Sequence, residues 1–565
     1  MRINGAQAMI KALEAENVDT IFGYPGKAIC PFYNALLDSS IRHILTRHEQ
    51  GAAHAASGYA RVTGKTGVCV ATSGPGATNL ITGIATAYMD SIPMVAITGQ
   101  VSTDLIGKDS FQEADITGAT TPFCKYNYLV KNVKDLPRVF REAFHIAASG
   151  RPGPVLIDVP EDLQLKEFNF EYPVAIDIKG YKPNYTGHVL QIKKVADAIQ
   201  KARKPLICAG GGIISGGADS VLRELAEKWR IPVTTTMMGI GSIPSSHELN
   251  FGMIGSHGSN TANYAIHHAD LLLILGARVG DRAMGAAWKT AERAVVIHVD
   301  IDPAEIGKNM NVTIPVVGDI RNVIEGILKF NDSRTSDISD ISDTSDTSVR
   351  IVTEEWLQTL SGIKTEQMKK RDSLIKESFK SNTVNPRYLL SILPDYAGAK
   401  AVVTTEVGQN QIWAANNYPV SSPRTFITSG GMGTMGYGLP SGVGACVGLS
   451  GKNRNVVVIS GDGSFQMSMQ ELGTIKQSNL NVKIIIFNNC RLGLVRELQT
   501  KNFCSRYSQV CLDNNPDFIK VADAYGFGGR RISSNTEVPE ALAEMINSEG
   551  AYILECIVDP EEPTL

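Results

Sequence analysis

Two short polar motifs each follow an apolar run, and together they could bind a metal ion and a diphosphate. The first motif is Gly461-Asp462-Gly463-Ser464, and the second is Asn488-Asn489. Asp462 offers a carboxylate and Asn489 an amide oxygen, which are hard ligands suited to Mg²⁺ shared with phosphate groups. The glycines let the main chain approach a diphosphate closely, and a helix start favours its negative charge. The alternative is an ordinary turn at a strand end, but the paired motifs favour a binding site.

The spacing of these motifs resembles that of the thiamine-diphosphate motif, in which Gly-Asp-Gly precedes Asn-Asn by some two dozen residues. By that resemblance, the metal is held by Asp462, Asn489 and the main-chain oxygen of Arg491. Gly461, Gly463 and Ser464 would then lie against the diphosphate.

The candidate acid is Glu49, which opens a helix rich in small residues. Thiamine chemistry requires a carbanion at C2 of the thiazolium ring. The aminopyrimidine of the cofactor can act as the base if its N1′ atom shares a proton with a carboxylic acid. A carboxyl group in a dry pocket suits this role, because burial favours its protonated form. The alternative is a carboxylate that only stabilises the helix N-terminus.

Short apolar runs that alternate with helical patterns must position these residues. Continuous apolar strands separated by helices predict parallel sheets covered on both faces, which is α/β architecture repeated several times. A helix over residues 468–477 should cross between the two strands of the diphosphate site, so that both strand ends meet at one edge. The predicted strands are 68–71, 94–97, 155–157, 206–209, 271–275, 456–459 and 483–487.

The length of the chain predicts several domains, and two predicted linkers, residues 167–188 and 331–350, separate them. Residues 1–166, 189–330 and 351–565 are the predicted domains of the 565-residue chain. Residues 331–350 are rich in Ser and Asp and predict a flexible tether, since such a composition cannot bury a core. We therefore expect three consecutive doubly wound parallel-sheet domains of the α/β class.

Composition narrows the class of protein. A net charge of −3 without a basic cluster argues against a nucleic-acid partner or an anionic membrane. No apolar stretch is long enough to span a bilayer, and no signal peptide is recognisable. The nine cysteines include no Cys-x-x-Cys pair, which favours reduced thiols in a cytoplasmic protein.

Several longer stretches resemble the acetolactate synthase (acetohydroxyacid synthase) large-subunit family, a group of thiamine-diphosphate-dependent enzymes. The resemblance covers nearly the whole chain. Arg47–Arg61 and 72–79 resemble the pyrimidine-binding domain of these enzymes. The other matching stretches are 22–26, 111–115, 149–155, 232–236, 429–440 and 515–518.

The resemblance implies an activity and an assembly. The enzyme would decarboxylate pyruvate and join the remaining two-carbon unit to a second 2-keto acid, in the biosynthesis of branched-chain amino acids. Pyruvate as acceptor gives 2-acetolactate, and 2-oxobutyrate gives 2-aceto-2-hydroxybutyrate. In this family Glu49 would meet the diphosphate site across a subunit interface, so a homodimer is the minimum unit, a homotetramer is common, and any small regulatory subunit is a separate chain.

Further site residues follow from the same resemblance. Glu49 would drive the proton relay, while Phe111 and Gln112 of the partner subunit would line the substrate pocket. Met435 would support the bent cofactor, and the main chain at Gly433 would contact its pyrimidine. The remaining residues expected near the cofactor are Gly408, Gln409, Asn410, Gly493 and Leu494.

The middle domain carries a pattern for FAD. Arginines at one strand end can bind a diphosphate, and an acid at the next strand end can bind ribose hydroxyls. The family pattern Arg-Phe-Asp-Asp-Arg reads Arg278-Val279-Gly280-Asp281-Arg282 here, so the aromatic residue is lost. The alternative is a nucleotide fold that Arg–Asp pairs stabilise without a nucleotide. The candidate FAD residues are Arg151, Gly211, Gly212, Arg278, Arg282, Asp300 and Asp319.

Departures from the family gather around the substrate entrance. Asn410 stands where histidine is usual, and Leu498 where tryptophan is usual. The alternative function is therefore a related thiamine-diphosphate carboligase or 2-keto-acid decarboxylase with a different substrate. A non-catalytic scaffold is a further alternative, but the retained Glu49, Asp462 and Asn489 argue against it.

Overall fold

Three six-stranded parallel sheets, each flanked by helices, organise the chain. The computed structural model describes residues 1–285, 289, 292–336 and 345–565. The strands are numbered β1 to β20 in chain order. The N-terminal sheet has the strand order β3-β2-β4-β5-β7-β6, the middle sheet β11-β10-β9-β12-β13-β14, and the C-terminal sheet β16-β15-β17-β18-β20-β19. The predicted α/β class and the succession of three parallel-sheet domains are confirmed.

The N-terminal sheet begins the chain and contains the helix that starts with Glu49. Its strands are β2 (Thr20–Gly23), β3 (Arg42–Leu45), β4 (Gly67–Ala71), β5 (Met94–Gln100), β6 (Tyr126–Leu129) and β7 (Pro154–Pro160). Its helices are Gly5–Ala15, Cys30–Leu36, Glu49–Thr63, Pro75–Asn79, Ile81–Asp90, Ile116–Thr120, Leu136–Ala148 and Glu161–Leu165.

The middle sheet has the same parallel arrangement. Its strands are β9 (Pro205–Ala209), β10 (Val233–Thr235), β11 (Asn250–Met253), β12 (Leu271–Leu275), β13 (Val295–Asp300) and β14 (Ile314–Val317). Its helices are Val189–Lys201, Gly211–Ser215, Asp219–Trp229, Asn260–His268, Asp281–Met284 and Ile320–Ser336.

The C-terminal sheet follows a long helix, Ser345–Ser378. Its strands are β15 (Val402–Thr405), β16 (Phe426–Ile427), β17 (Val456–Gly461), β18 (Val482–Asn488), β19 (Gly528–Ile532) and β20 (Tyr552–Ile557). Its helices are Pro386–Ala397, Gln409–Asn417, Gly438–Gly448, Asp462–Gln466, Leu472–Gln477, Gly493–Asn502, Phe518–Ala524 and Val538–Asn547.

Burial explains why the strands are apolar runs. Every residue of β4, β5, β7, β9 and β12 is buried, as expected for strands covered on both faces. The seven apolar runs expected to be strands are strands, although most extend by one to three residues. The crossing helix predicted over 468–477 is shorter, because Met469–Glu471 forms a 3-10 turn before the helix Leu472–Gln477.

The two predicted linkers differ from simple coil. Glu167–Asn169 forms β8, which pairs antiparallel with β1 (Arg2–Asn4) because Phe168 is buried and Arg2 forms an ion pair with Glu167. Helices reach into both ends of the predicted tether 331–350, ending at Ser336 and beginning at Ser345. Its centre, residues 337–344, lies outside the described residues, and the tether stays a prediction. No helix among the described residues is long and apolar enough to cross a membrane.

Candidate active site

The carboxyl edge of the C-terminal sheet brings the two polar motifs together. β17 and β18 are neighbours with Gly461 opposite Phe487, so Asp462 and Asn489 follow adjacent strand ends. β15 lies on the other side of β17 and leads into residues 406–410. The edge therefore gathers three of the predicted segments.

Asp462 has the surroundings of a metal ligand. Its side chain is buried, and one carboxylate oxygen accepts a hydrogen bond from Asn515 Nδ2 at 2.6 Å. Burial raises the pKa of Asp462 to about 6, and no lysine, arginine or histidine among the described residues forms an ion pair with it. A buried carboxylate without a compensating cation fits a site for a metal ion.

Asn489 follows the neighbouring strand end, and its amide is held in place. Its Oδ1 accepts from Arg491 N at 3.1 Å, and its Nδ2 donates to Gln409 Oε1 at 2.9 Å. The described residues contain no group of three or more His, Cys, Asp and Glu side chains that could hold a metal ion. A metal at this edge would therefore take amide, main-chain and phosphate oxygens beside the Asp462 carboxylate, which is a donor set that Mg²⁺ accepts.

The glycines around this edge have packing reasons of their own. A Cβ atom at Gly493 would lie 1.7 Å from Gln409 Oε1, and one at Gly463 would lie 2.7 Å from Leu492 Cδ2. The Ser464 hydroxyl accepts from Gly461 N at 3.3 Å. Leu494 follows Gly493 in the first turn of its helix and is half-buried. Close internal packing thus accounts for part of what the sequence assigned to a diphosphate.

The side chains of Gln409 and Asn410 are engaged within the protein. Gln409 Nε2 donates to Glu497 Oε1 at 3.0 Å and to Glu562 O at 2.9 Å. Asn410 Nδ2 donates to Glu406 O at 3.0 Å and to Ile459 O at 3.2 Å. These residues could still contact a diphosphate through the main-chain N-terminus of the helix Gln409–Asn417. Gly408, with φ of 142°, precedes the first residue of this helix.

Gly433 and Met435 lie in a turn after β16. Gly433 has φ of 68°, and a Cβ atom there would meet no atom of the described residues within 4 Å. Met435 is half-buried, whereas Met432 is exposed. The turn therefore leaves open space at Gly433, as contact with a planar group would require.

Glu49 is the first residue of the helix Glu49–Thr63, and its carboxylate is half-buried. Asn79 Nδ2 donates to Glu49 Oε2 at 2.9 Å. A Cβ atom at Gly76 would lie 3.3 Å from Glu49 Oε1, so a small residue is needed beside the acid. Asn79 orients one oxygen of Glu49 and leaves the other without a side-chain donor among the described residues.

Glu471, which sequence reasoning missed, fixes the residues before Glu49. Its carboxylate accepts from Arg47 N at 3.1 Å and from His48 N at 3.1 Å. Burial raises the pKa of Glu471, and these hydrogen bonds oppose that effect. Nothing in the sequence around Glu471 sets it apart from other acids on helices, so only the fold reveals its partner.

Phe111 and Gln112 occupy a turn on the surface of the single chain. The Phe111 side chain is 83% exposed, and Gln112 has φ of 60°. A Cβ atom at Gly74 would lie 2.8 Å from Gln112 O, so Gly74 permits this close approach. Within one chain, Phe111 is not part of an enclosed pocket.

Strand ends of the middle sheet bring together part of the candidate FAD residues. Arg151 Nη1 lies 2.8 Å from Glu305 Oε1 and 3.4 Å from Asp302 Oδ2. Burial, followed by the charge of Arg151, lowers the pKa of Arg278. Burial raises the pKa of Asp300 to about 6, although the charge of Arg151 opposes it. Arg151, Arg278 and Asp300 therefore act on one another electrostatically.

The other candidate FAD residues have different surroundings. The Arg282 side chain is 77% exposed and lies 3.8 Å from Asp281. Asp319 Oδ1 accepts from Asn322 N, at the start of a helix. A Cβ atom at Gly212 would lie 2.7 Å from Gly276 Cα, and one at Gly211 would lie 3.2 Å from Met238 Cβ. Packing of the chain against itself already requires these two glycines.

Comparisons with known proteins agree with this arrangement. The thiamine pyrophosphate enzyme family matches in three domains: the N-terminal TPP binding domain at residues 3–119, the central domain at 192–327 and the C-terminal TPP binding domain at 406–556.

Curated relatives extend over nearly the whole chain. A probable acetolactate synthase large subunit of Methanocaldococcus jannaschii is 46% identical over 99% of this chain and 93% of its own length. The acetolactate synthase isozyme 2 large subunit of Escherichia coli is 43% identical over 99% of this chain and 96% of its own. The acetolactate synthase large subunit of Corynebacterium glutamicum is 44% identical over 98% and 86%. With both thiamine pyrophosphate domains matched and the relatives this similar from end to end, the chain belongs to the acetolactate synthase large subunits of the thiamine pyrophosphate enzyme family.

Proposed function

We propose that this chain condenses pyruvate, after its decarboxylation, with a second 2-keto acid to give 2-acetolactate or 2-aceto-2-hydroxybutyrate. This reaction belongs to the biosynthesis of branched-chain amino acids. The observation that carries the proposal is the buried, uncompensated carboxylate of Asp462 beside Asn489, in a chain that also keeps Glu49 at a helix start. When bound, thiamine diphosphate supplies a carbon nucleophile for the keto group and accepts the electron pair left by departing CO₂.

The residues of the chain have separate tasks in this proposal. Asp462, Asn489 and the main-chain oxygen of Arg491 would hold Mg²⁺, which would neutralise the diphosphate. Glu49 would hold a proton at N1′ of the aminopyrimidine, and Asn79 keeps the carboxylate in its orientation. The turn at Gly433 and Met435 would support the cofactor, while Phe111 and Gln112 would line the substrate pocket of the partner subunit.

The direct test is product analysis. The purified protein, with thiamine diphosphate and Mg²⁺, is incubated with pyruvate alone and with pyruvate plus 2-oxobutyrate. We expect CO₂ release with 2-acetolactate in the first case and 2-aceto-2-hydroxybutyrate as an additional product in the second, identified by mass. Acetaldehyde as the main product would favour the alternative of a 2-keto-acid decarboxylase, and no CO₂ release would favour a non-catalytic protein.

The acceptor preference depends on Leu498, which is 44% exposed on the helix Gly493–Asn502. The Tyr507 ring packs on Arg496, with its centroid 4.2 Å from Arg496 Cζ, and the Tyr507 hydroxyl forms a hydrogen bond with Thr500 Oγ1 at 3.1 Å. Arg496 and Thr500 are four residues apart and share one face of the helix, whereas Leu498 lies on the opposite face. This supports Leu498, rather than Tyr507, as the residue that meets the acceptor.

The leucine side chain is smaller and more flexible than the tryptophan that is usual in the family. A pocket bounded by Leu498 should therefore discriminate little between pyruvate and 2-oxobutyrate. One methylene in an apolar pocket is worth only about 1–3 kcal/mol, or roughly 10–200-fold. Competition between the two acceptors measures the preference. A strong preference for 2-oxobutyrate that Leu498→Ala leaves unchanged would refute this role of Leu498.

A homo-oligomer with shared sites is part of the proposal. Phe111 is exposed, and none of the residues in the helix Gly493–Asn502 is buried. Both are positions that the family resemblance assigns to the active site, and a partner subunit would cover them. Light scattering after size-exclusion chromatography should give a dimer or tetramer, and a monomer with full activity would contradict shared sites. A separate small regulatory subunit is an additional expectation.

FAD is the third cofactor that we propose. Arg278 is half-buried and makes one side-chain hydrogen bond within the described part of the chain, to Met89 O at 2.6 Å, so guanidinium donors remain for a diphosphate. Asp300 is a buried carboxylate at the next strand end and could accept from ribose hydroxyls. Heat-released flavin, measured by fluorescence, tests the proposal; a fully active preparation without flavin would mark a flavin-free member of the family.

A further inference from the structure

The turn at residues 429–437, here called the support turn, carries Gly433 and Met435 between β16 and the helix Gly438–Gly448. Gly433 and Gly436 have φ of 68° and 85°, so the main chain bends in the left-handed region twice. Ser429 Oγ accepts from Thr434 N at 3.1 Å, and Thr434 Oγ1 bonds Thr86 Oγ1 at 2.7 Å. A turn of this shape needs partners for its main-chain amides, because those amides are not paired in a sheet.

Glu406 supplies acceptors at the end of the support turn. Its side chain is fully buried, and its two oxygens accept from Gly436 N at 2.7 Å and Leu439 N at 3.1 Å. No cation among the described residues pairs with Glu406; burial raises its pKa to about 7, and hydrogen bonds from main-chain amides lower it. A Cβ atom at Gly438 would lie 2.9 Å from Glu406 Cγ, so the glycine allows this approach.

Asp90 supplies an acceptor near the start of the support turn, from the N-terminal domain. Its Oδ1 accepts from Gly431 N at 2.7 Å, and its side chain is 1% exposed. Arg61 Nη1 lies 3.8 Å from Asp90 Oδ2 and donates to Thr428 O at 2.5 Å. Two domains therefore fix the two ends of one turn through buried carboxylates.

Amide side chains could not do the same work. A carboxylate accepts at both oxygens, whereas glutamine or asparagine presents an NH₂ group at one of them. In Glu406→Gln, that NH₂ would face the N–H of Gly436 or of Leu439. The variant would lose a hydrogen bond to a charged group, which is stronger than one between neutral groups, and would leave a buried donor unpaired.

We propose that Glu406 and Asp90 are positioning residues, which hold the support turn in the conformation through which Gly433 and Met435 contact the cofactor. The inference rests on the proposed function, because the contacts of Gly433 and Met435 belong to it. Glu406 acts through the main-chain amides of Gly436 in the turn and Leu439 just after it, and Asp90 acts through the amide of Gly431 and its ion pair with Arg61. They therefore set the affinity for the cofactor and the rate after it has bound, without touching the substrate.

The test compares Glu406→Gln and Asp90→Asn with Glu16→Gln as a control. Glu16 is an acid that accepts from Arg141 Nη1 at 2.6 Å and Tyr172 OH at 2.7 Å, outside the support turn. Thiamine-diphosphate affinity with Mg²⁺ is measured by calorimetry, CO₂ release from pyruvate at saturating cofactor gives the turnover, and thermal unfolding gives the stability. We expect the Kd to rise and the turnover to fall at least tenfold in each support-turn variant, and both to change less than twofold in Glu16→Gln.

Three results separate the possibilities. A wild-type protein that binds no thiamine diphosphate would refute the proposed function itself. A wild-type protein that binds it, with support-turn variants that bind and turn over like Glu16→Gln, would overturn this inference alone. If Glu406→Gln does not fold, Glu406→Asp is measured instead; its shorter reach should weaken binding about threefold or more, and an unchanged Kd would overturn the inference.

Discussion

Replacing Gly444 by alanine should damage the contact on which both halves of the site depend. The helix Glu49–Thr63 crosses the helix Gly438–Gly448 with the main chains touching. A Cβ atom at Gly444 would lie 1.8 Å from Ala55 O, and one at Gly58 would lie 2.0 Å from Ser441 O. Both of these oxygens are main-chain atoms within helices, so they cannot move away by a side-chain rotation.

The size of the effect follows from these distances. A Cβ atom needs at least 3.0 Å, so the helices must separate by more than 1 Å at Gly444. Overpacking typically costs about 1–3 kcal/mol. For a domain of this size, that lowers the melting temperature by roughly 2–4 °C per kcal/mol. The separation shifts the Glu49 helix and the helix that follows the support turn, and both would face sites shared with the partner subunit. A misplacement of about 1 Å can cost about a hundredfold in rate.

Gly362→Ala is the matched control. Gly362 lies exposed inside the helix Ser345–Ser378, and no atom in the described part of the chain would lie within 4 Å of a Cβ atom there. Alanine should stabilise that helix by about 1 kcal/mol. Thermal unfolding and pyruvate turnover are measured for both variants. A Gly444→Ala protein that melts and turns over like Gly362→Ala would refute the argument that this crossing requires glycine.

Three further predictions concern single acids. Glu49→Gln should fold and bind the cofactor but turn over at least about a hundredfold more slowly; near-normal turnover would remove Glu49 from the mechanism. Asp462→Ala should lose Mg²⁺-dependent binding of thiamine diphosphate in calorimetry, and unchanged affinity would locate the metal elsewhere. Burial raises the pKa of Asp158 to about 7, above its value in the unfolded chain. The stability from its protonated form is therefore complete below about pH 4 and is lost as the pH rises through 7. Melting temperatures between pH 5 and 8 should fall more in the wild type than in Asp158→Asn, and equal slopes would contradict this.

All seven strands predicted from the sequence are interior strands, although the interior strands β2, β10, β13, β15 and β20 were not predicted. β4, β5, β7, β9, β12, β17 and β18 are interior strands with neighbours on both sides, and each appears as an apolar run. The edge strands gave no such signal: β6 contains no fully buried residue, and β19 contains Arg530 and Arg531. An edge strand has one partner and tolerates polar residues, so its hydrophobic pattern is weak.

Site residues that lie on strands close in the sequence could be predicted, whereas those whose partners are hundreds of residues away could not. Asp462 and Asn489 were predicted because both follow strands that are close in the sequence. Glu471 could not be predicted, because it holds an amide 424 residues away. The Asp90 carboxylate and the Gly431 amide are 341 residues apart. Only the packing of the first domain on the last brings such pairs together.

The acids that were not predicted share one property, which explains why no sequence motif identifies their hydrogen-bond partners. Glu471, Glu406 and Asp90 are all buried, and each accepts hydrogen bonds from main-chain N–H groups. Because any residue except proline offers that group, the identity of the residue that is held does not need to match the acid that holds it. These hydrogen bonds therefore place no requirement on the side chain of the residue that is held, whereas replacing one of these acids would disturb the geometry without touching a residue that contacts substrate.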